Sequence, residues 1–413
     1  MSRSRRADRT LAAPPRSSSS RREWLRRVGT AGLAGILPAG CSTRPPDLSV
    51  SDQPVARFPE KVALRVVNDR PPCLETPWHY FREDLTPNEA FYVRWHLQAI
   101  PTVVDLRTWR LKVAGNVLRP LELSLDELKR MEPVSVVAVN QCSGNSRSLF
   151  QPRVPGSQWG NGAMGNARWT GVRLADLLRR AGVKSKTVQV QFNGLDEGPL
   201  PSVPDYVKTL DIDHALSPEA LVAYEMNGAT LPMLNGFPVR LVVPGWYATY
   251  WVKALSEITA LPARFDGYWM AKAYRIPTNP EAAETPNALA KETVPINRLN
   301  LRSFIVFPEP DGRIHVRRPC RLEGIAFDGG HGIKLVQVST DGGSRWDQAS
   351  LDPDLGRYSF RRWRATWTPQ TRGAYRLMVR AVSNAGEEMP ASPRWNRSGY
   401  MRNMIEEIRV TAV

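Results

Sequence analysis

Cysteine is scarce in this 413-residue chain, and its spacing narrows the chemistry. The four cysteines stand at positions 41, 73, 142 and 320, with no Cys-x-x-Cys pair and no Cys-x-x-Cys-His haem-attachment motif. Neither a zinc site nor an attached c-type haem is therefore expected. One disulfide, between Cys73 and Cys320, stays open for an oxidising compartment. Histidine is almost as scarce: five residues, at 79, 96, 214, 315 and 331, give no readable His–Cys catalytic pair. No run of eighteen apolar residues marks a membrane span. Acidic side chains are also in deficit, 40 against 56 basic ones, for a net charge of +16. About half of that excess lies in residues 1–45, which hold ten arginines against Asp8 and Glu23. The remainder is only mildly basic, which suits small anions or acidic partners and does not imply nucleic acid.

Residues 1–20 are basic, Ser/Pro-rich and aperiodic, a composition that predicts disorder. Arg21-Arg22-Glu23-Trp24-Leu25 and the weakly apolar Gly/Ala-rich stretch 28–39 then resemble a twin-arginine export signal, which places the mature protein in the periplasm. Leu37-Pro38-Ala39-Gly40-Cys41 is an imperfect lipoprotein cleavage site, so Cys41 is a candidate for lipid attachment, with ordinary cleavage nearby as the alternative. Residues 42–59 read as a Pro/Asp/Ser-rich linker.

The block 60–290 mixes helical and strand patterns. Leu174, Leu177, Leu178 and Ala181 form a helical apolar face closed by Gly182. Residues 134–139, 187–192 and 237–243 read as strands, the first and last fully buried, and Asn193-Gly194 should end the second. Irregular alternation of strands, short helices and Gly/Pro loops predicts an α+β domain. Residues 277–297 look like a junction. Beyond them, alternating runs at 313–316, 333–338, 357–363 and 374–382, with a hairpin turn at Asp341-Gly342-Gly343, predict an all-β immunoglobulin-like sandwich over 291–413.

Cys142 is the residue most in need of an explanation. A branched apolar strand delivers it onto Ser143-Gly144-Asn145-Ser146, a loop small enough for close approach of a ligand. On the residues alone, its thiol is a nucleophile, a soft ligand for a redox metal, or an inert core group.

Longer motifs surround it. Cys142-Ser143-Gly144-Asn145-Ser146-Arg147 is followed by Trp159-Gly160-Asn161-Gly162-Ala163-Met164-Gly165-Asn166-Ala167-Arg168-Trp169-Thr170-Gly171. Asn235-Gly236-Phe237-Pro238-Val239-Arg240-Leu241-Val242-Val243-Pro244-Gly245-Trp246 comes next, then Val252-Lys253. In this order the motifs resemble the sulfite oxidase family of molybdenum enzymes, over roughly residues 60–413, and bacterial periplasmic sulfite dehydrogenases in particular. The resemblance implies a molybdopterin cofactor, one molybdenum per chain, with Cys142 as the protein's metal ligand.

By the same resemblance Arg94, Arg147 and Trp159 would face the substrate, and Tyr274 would point its hydroxyl at the metal's oxygen. His96, Asp196, Asn235, Arg240 and Lys253 would hold the cofactor. Asn235 stands where vertebrate members have His, and Tyr250 and Trp251 where they have Arg and Ser. A third pocket arginine is expected in a Trp-Asn-x-Arg-Gly setting, but Ser398 occupies that place and leaves Arg397 and Arg402 as candidates. Convergent arginines suit a small dianion, since each planar fork offers two charge-assisted bonds in fixed geometry.

The implied activity is oxidation of sulfite to sulfate, with electrons passed singly to a separate c-type cytochrome. The chain would work as a homodimer or beside a cytochrome subunit. A sulfane dehydrogenase of a thiosulfate-oxidising system shares the fold and is the nearest rival. A methionine-sulfoxide reductase of the superfamily would lack the C-terminal sandwich. From another class comes a non-redox periplasmic anion-binding protein.

Overall fold

Strand formation dominates because β-branched and aromatic residues recur in short runs separated by Gly/Pro loops. A computed structural model of the chain describes residues 55–56 and 60–413, which belong to one compact unit. The export-signal motif, Cys41 and most of the 42–59 linker lie outside the described residues.

Three sheets build the larger part. The first runs Val55–Ala56, Leu64–Asn68, Cys73–Glu75, Val93–Arg94. The second runs Lys208–Asp211, Gln189–Gly194, Leu255–Leu261, Leu111–Gly115, Leu121–Leu123, and is antiparallel except where Leu255–Leu261 meets Leu111–Gly115. The third runs Ala229–Thr230, Leu221–Met226, Met164–Arg173, Val134–Gln141, with Arg240–Val242 paired to Leu221–Met226. A shared apolar core joins the second and third sheets. The predicted helix forms as Leu174–Ala181, with Leu174, Ala175, Leu177, Leu178 and Ala181 buried, and Gly182 caps it at φ 69°. A left-handed residue is needed there to close the last carbonyls, and glycine adopts it without strain.

Beyond residue 300 two sheets face each other across one core. One contains Arg302–Phe307, Cys320–Phe327, Arg361–Trp367 and Ser350–Leu351; the other contains Arg313–Ile314, Glu406–Ala412, Gly373–Ser383, Ile333–Ser339 and Asp347–Gln348. Asp341 sets the predicted turn, its Oδ1 accepting from the Ser344 and Arg345 N–H groups at 3.0 Å each. A third apolar cluster, with Val139, Met164, Tyr274, Phe304 and Phe327, spans residues of both parts.

Two expectations need correction. The Val134–Gln141 strand is buried only from Val137 onward, because it is the outer strand of its sheet and its start has no neighbour on that side. The Gln189–Gly194 strand runs through Asn193-Gly194, which pair with Leu255–Leu261 instead of turning. Around the 277–297 stretch, Arg275–Pro277 pairs with Thr293–Pro295. Cys73 and Cys320 are free thiols. Cys73 is buried with its sulfur 3.8 Å from Ser157 Oγ, while Cys320 sits in the second part beside the Arg321 carbonyl.

Candidate molybdopterin site

Cys142 follows the last residue of the Val134–Gln141 strand, and its loop is fixed from three directions. The Cys142 N–H donates to the Ala163 carbonyl at 2.9 Å, and the Asn145 N–H returns to the Cys142 carbonyl at 3.0 Å. The Ala163 N–H donates to Asn145 Oδ1 at 3.0 Å, tying the loop to the Trp159–Met164 segment. From the second part of the chain, the Met401 N–H donates to the Ser143 carbonyl at 2.8 Å. Ser146 takes φ 69°, unusual for a residue with a Cβ, and turns the chain into the short 3-10 turn that carries Arg147.

Two cavities meet at this loop. The inner one, narrow, is lined by Phe91, Tyr92, Arg94, His96, Asn140, Cys142, Ser143, Asn235, Arg240, Lys253 and Tyr274, among others. The outer one, about 400 Å³ and more open, is lined by Arg147, Trp159, Tyr268, Trp269, Arg397, Ser398 and Tyr400. Arg94, Cys142, Ser143 and Tyr274 line both. The sulfur-bearing residue therefore stands between a narrow slot and a more open mouth.

The slot walls hold polar atoms that the protein leaves unsatisfied. His96 Nδ1, Asn140 Nδ2, Ser143 Oγ and Arg240 Nε are buried without a protein hydrogen-bond partner. Each such atom costs stability when orphaned, so their clustering on one cavity indicates a polar ligand that pairs with them. The remaining bonds hold the walls rigid. Arg240 donates to the Asn235 carbonyl at 2.9 Å and the Trp251 carbonyl at 3.2 Å, with its guanidinium over the Trp169 ring at 5.0 Å. Asn235 Nδ2 donates to the Tyr92 carbonyl at 3.1 Å, and Asn235 Oδ1 accepts from Lys61 Nζ. Lys253 Nζ lies over Trp95 at 4.5 Å.

Positive charge here is not neutralised from within. Arg94, Arg147, Lys208, Arg240 and Lys253 have no carboxylate within 4.0 Å among the described residues. Burial pushes Lys253 down to about 7, with Arg240 adding to the shift and Asp196 opposing it. Lys208 falls to about 7 and Arg240 to about 10 for the same first reason. An anion in the slot would offset the desolvation cost carried by Arg240 and Lys253, which line it.

The mouth is built around Arg147. Its Nη1 donates to the Ser157 carbonyl at 3.2 Å, its guanidinium lies 5.1 Å from the Tyr400 ring centroid, and its Nε is unpaired. Three glycines make room for it: a Cβ on Gly144, Gly156 or Gly399 would stand within 3.0 Å of an Arg147 atom. Tyr274 is held in the left-handed region at φ 56°, a strained conformation for an aromatic residue. Its hydroxyl lies 2.5 Å from His96 Nε2, and its ring stacks on Tyr400 at 5.2 Å. Burial, chiefly, drives His96 well below the usual imidazole range, with Arg94 adding to the effect, so the ring is neutral. It stacks flat on Tyr206, 3.6 Å away at 7°.

The remaining predicted site residues are placed as follows. Trp159 is fully buried at the mouth. Asp196 is buried behind Lys253 and lines neither cavity; desolvation raises its carboxyl to about 6. Arg397 lines the mouth, but its guanidinium is clamped on Glu284 by bonds of 2.9 and 2.6 Å. Arg402 departs from expectation: it is buried outside both cavities, bonded to Glu406 at 2.7 Å, because that carboxylate captures it together with Arg302. Sequence reading missed Ser143, Asn140, Tyr400, Tyr206 and Lys208. The first two flank Cys142 in its own motif. Tyr206 and Lys208 alternate along a segment with no motif and reach the site only through packing.

A thiol between an anion-seeking slot and an arginine-walled mouth fits a metal cofactor with an anionic tail, and comparisons with known proteins identify it. Residues 96–269 match the family model "Oxidoreductase molybdopterin binding domain" and residues 293–412 the model "Mo-co oxidoreductase dimerisation domain". The mouse mitochondrial sulfite oxidase is 33% identical over 379 residues, covering 88% of this chain and 67% of that protein. The human mitochondrial sulfite oxidase is 33% identical over 376 residues, covering 87% and 67%. A barley NADH nitrate reductase is 32% identical over 417 residues, covering 94% of this chain and 45% of that one. Among solved structures, the sulfane dehydrogenase SoxCD of Paracoccus pantotrophus superposes with a TM-score of 0.71 over 91% of this chain and 92% of its own, at 22% identity. The fold and the site define a molybdopterin-dependent oxidoreductase, which sets aside the non-redox binder. The chain belongs to the sulfite oxidase family.

Proposed function

We propose that this enzyme oxidises sulfite to sulfate: sulfite and water give sulfate, two protons and two electrons. The observation that carries the reading is the pair of arginines, Arg94 and Arg147, that line the mouth beside Cys142 without carboxylate partners. When bound through Cys142, the molybdenum cofactor supplies the oxygen-atom transfer and takes up the two electrons. Arg240, Lys253, Asn235 and His96 hold that cofactor, and Asp196 acts on it only through Lys253. Arg94 and Arg147 seat the sulfite dianion by charge-assisted bonds and offset its charge as it approaches. Trp159 and Tyr400 wall the mouth. The Tyr274 hydroxyl stays protonated, because burial raises its pKa, and it offers a hydrogen bond where the oxygen is transferred. Neutral His96 holds that hydroxyl in place.

In the same reading residues 1–41 direct twin-arginine export to the periplasm, with Cys41 as a possible anchor, and 42–59 are a linker. Residues 60–290 form the cofactor domain, and 291–413 form an immunoglobulin-like sandwich that supports a homodimer or a pairing with a cytochrome subunit. A separate c-type cytochrome accepts the electrons one at a time.

A second reading, sulfane dehydrogenation on a carrier, draws on one feature of the mouth. Ser398 replaces the expected third arginine and Arg397 is tied to Glu284, so the opening is wide and aromatic. Metal analysis with a sulfite-dependent cytochrome c or ferricyanide assay decides between them. One molybdenum per chain and sulfite turnover, both lost in Cys142→Ser, are expected. Stoichiometric molybdenum without sulfite turnover would reject sulfite as substrate.

A further inference from the structure

Asp328, His331 and Glu387 lie outside the molybdopterin site and present one ligand atom each to a common point. His331 Nδ1 is 3.9 Å from Asp328 Oδ2 and 3.6 Å from Glu387 Oε2, and all three atoms lie within 4.8 Å of one another. Asp328 follows the Cys320–Phe327 strand and is 2% exposed. Its Oδ1 accepts from the Gly330 and Gly332 N–H groups at 2.8 and 3.1 Å, which fixes the carboxylate plane. Its Oδ2, equally buried, has no hydrogen-bond partner. A buried carboxylate oxygen without a donor is costly unless something positive meets it.

His331 and Glu387 are half exposed and flank that oxygen. Both are held by their backbones: the Asn384 N–H donates to the Gly332 carbonyl at 2.9 Å, and the Glu387 N–H to Ser383 Oγ at 3.1 Å. Asn384 Nδ2 also donates to the His331 carbonyl at 3.0 Å. The two turns therefore hold the three ligand atoms together without any direct bond among them.

We propose that these three residues form a binding site for a zinc-class divalent cation that clamps the 328–332 loop to the 383–388 turn. The His331 separations of 3.6 and 3.9 Å exceed hydrogen-bond lengths, so no direct bond joins the three groups, although they allow an ion pair when the imidazole is protonated. They lie near the tetrahedral edge of about 3.4 Å that follows from metal–ligand arms of about 2.0–2.1 Å. One imidazole with two carboxylates is a borderline donor set that suits zinc and its neighbours, whereas magnesium and calcium take oxygen donors only. A solvent molecule completes four-coordination on the exposed side. Glu388 adds negative charge nearby, while Arg298 is engaged with the Gly329 carbonyl at 3.0 Å.

The site is tested on the molybdenum-loaded full chain after dialysis against chelator, by calorimetric titration with zinc ion. One tight zinc site per chain is expected, unaffected by millimolar magnesium, together with a zinc-dependent rise in melting temperature. His331→Ala and Glu387→Gln change half-exposed side chains and should fold; each should weaken zinc binding at least about tenfold and abolish the rise. Asp328→Asn keeps an oxygen for the Gly330 and Gly332 N–H groups while removing the charge, and should weaken binding likewise. A parent chain without a stoichiometric zinc site, or variants that bind zinc as the parent does, would overturn the proposal.

Discussion

Arg147 shows how one residue gives a packed loop an unneutralised positive charge. Its guanidinium is buried, donates to the Ser157 carbonyl, and lies over Tyr400 with its Nε unpaired. Arg147→Gln removes a charge-assisted donor from the mouth, so the sulfite KM should rise about tenfold to a hundredfold with molybdenum content intact. Steady-state kinetics on metal-matched samples check this, and an unchanged KM would remove Arg147 from substrate binding. Arg397 behaves differently because Glu284 holds it. The Arg397 guanidinium, foremost, depresses the Glu284 carboxyl from 4.5 to about 2. A depressed folded pKa contributes stability above about pH 4.5 that is lost as pH falls through about 2. Because Arg397 is 44% exposed, screening reduces that contribution to about 1–2 kcal/mol. Glu284→Gln should be destabilised by that amount at neutral pH and match the parent near pH 2, as read by denaturant melts across pH. A difference constant with pH would contradict the linkage.

At the scale of elements, the catalytic loops are shaped by where side chains are missing. Gly399 has φ 60° and sits where a Cβ would stand 2.4 Å from Val154 Cγ2 and 2.9 Å from Arg147 Cγ. Gly399→Ala should therefore push Arg147 out of position, raising the sulfite KM severalfold while global stability falls by about 1–3 kcal/mol. A stability loss with unchanged KM would show that the segment and Arg147 move together. The sequence carried the helix Leu174–Ala181 well, since four apolar positions at helical spacing and a glycine stop are a local pattern. It overstated the burial of Val134–Gln141, because an outer strand and a central strand share the same branched composition. Only pairing distinguishes the two.

Across the whole molecule, the second part of the chain reaches back to the cysteine loop. Arg302, fully buried, donates to Ser146 Oγ at 3.0 Å and to Glu406 at 2.5 Å, and Arg402 binds the same carboxylate at 2.7 Å. Glu406→Gln leaves two buried guanidiniums facing each other and should cost about 3–5 kcal/mol in thermal or denaturant melts. Arg302→Met should cost less, since Arg402 still neutralises Glu406; equal losses would refute the shared-carboxylate arrangement. By itself the sequence determined the family and the cofactor class, because the motifs that carry them are contiguous. It also placed the change to an all-strand second part, because alternation is local. Which arginine remained available was decided only in three dimensions. Glu284, Glu406 and Tyr400 are distant in sequence from much of what they touch, and a buried charge is free or paired according to such neighbours. Cys142 stood out in the sequence; its place between two cavities was set by the tertiary structure alone.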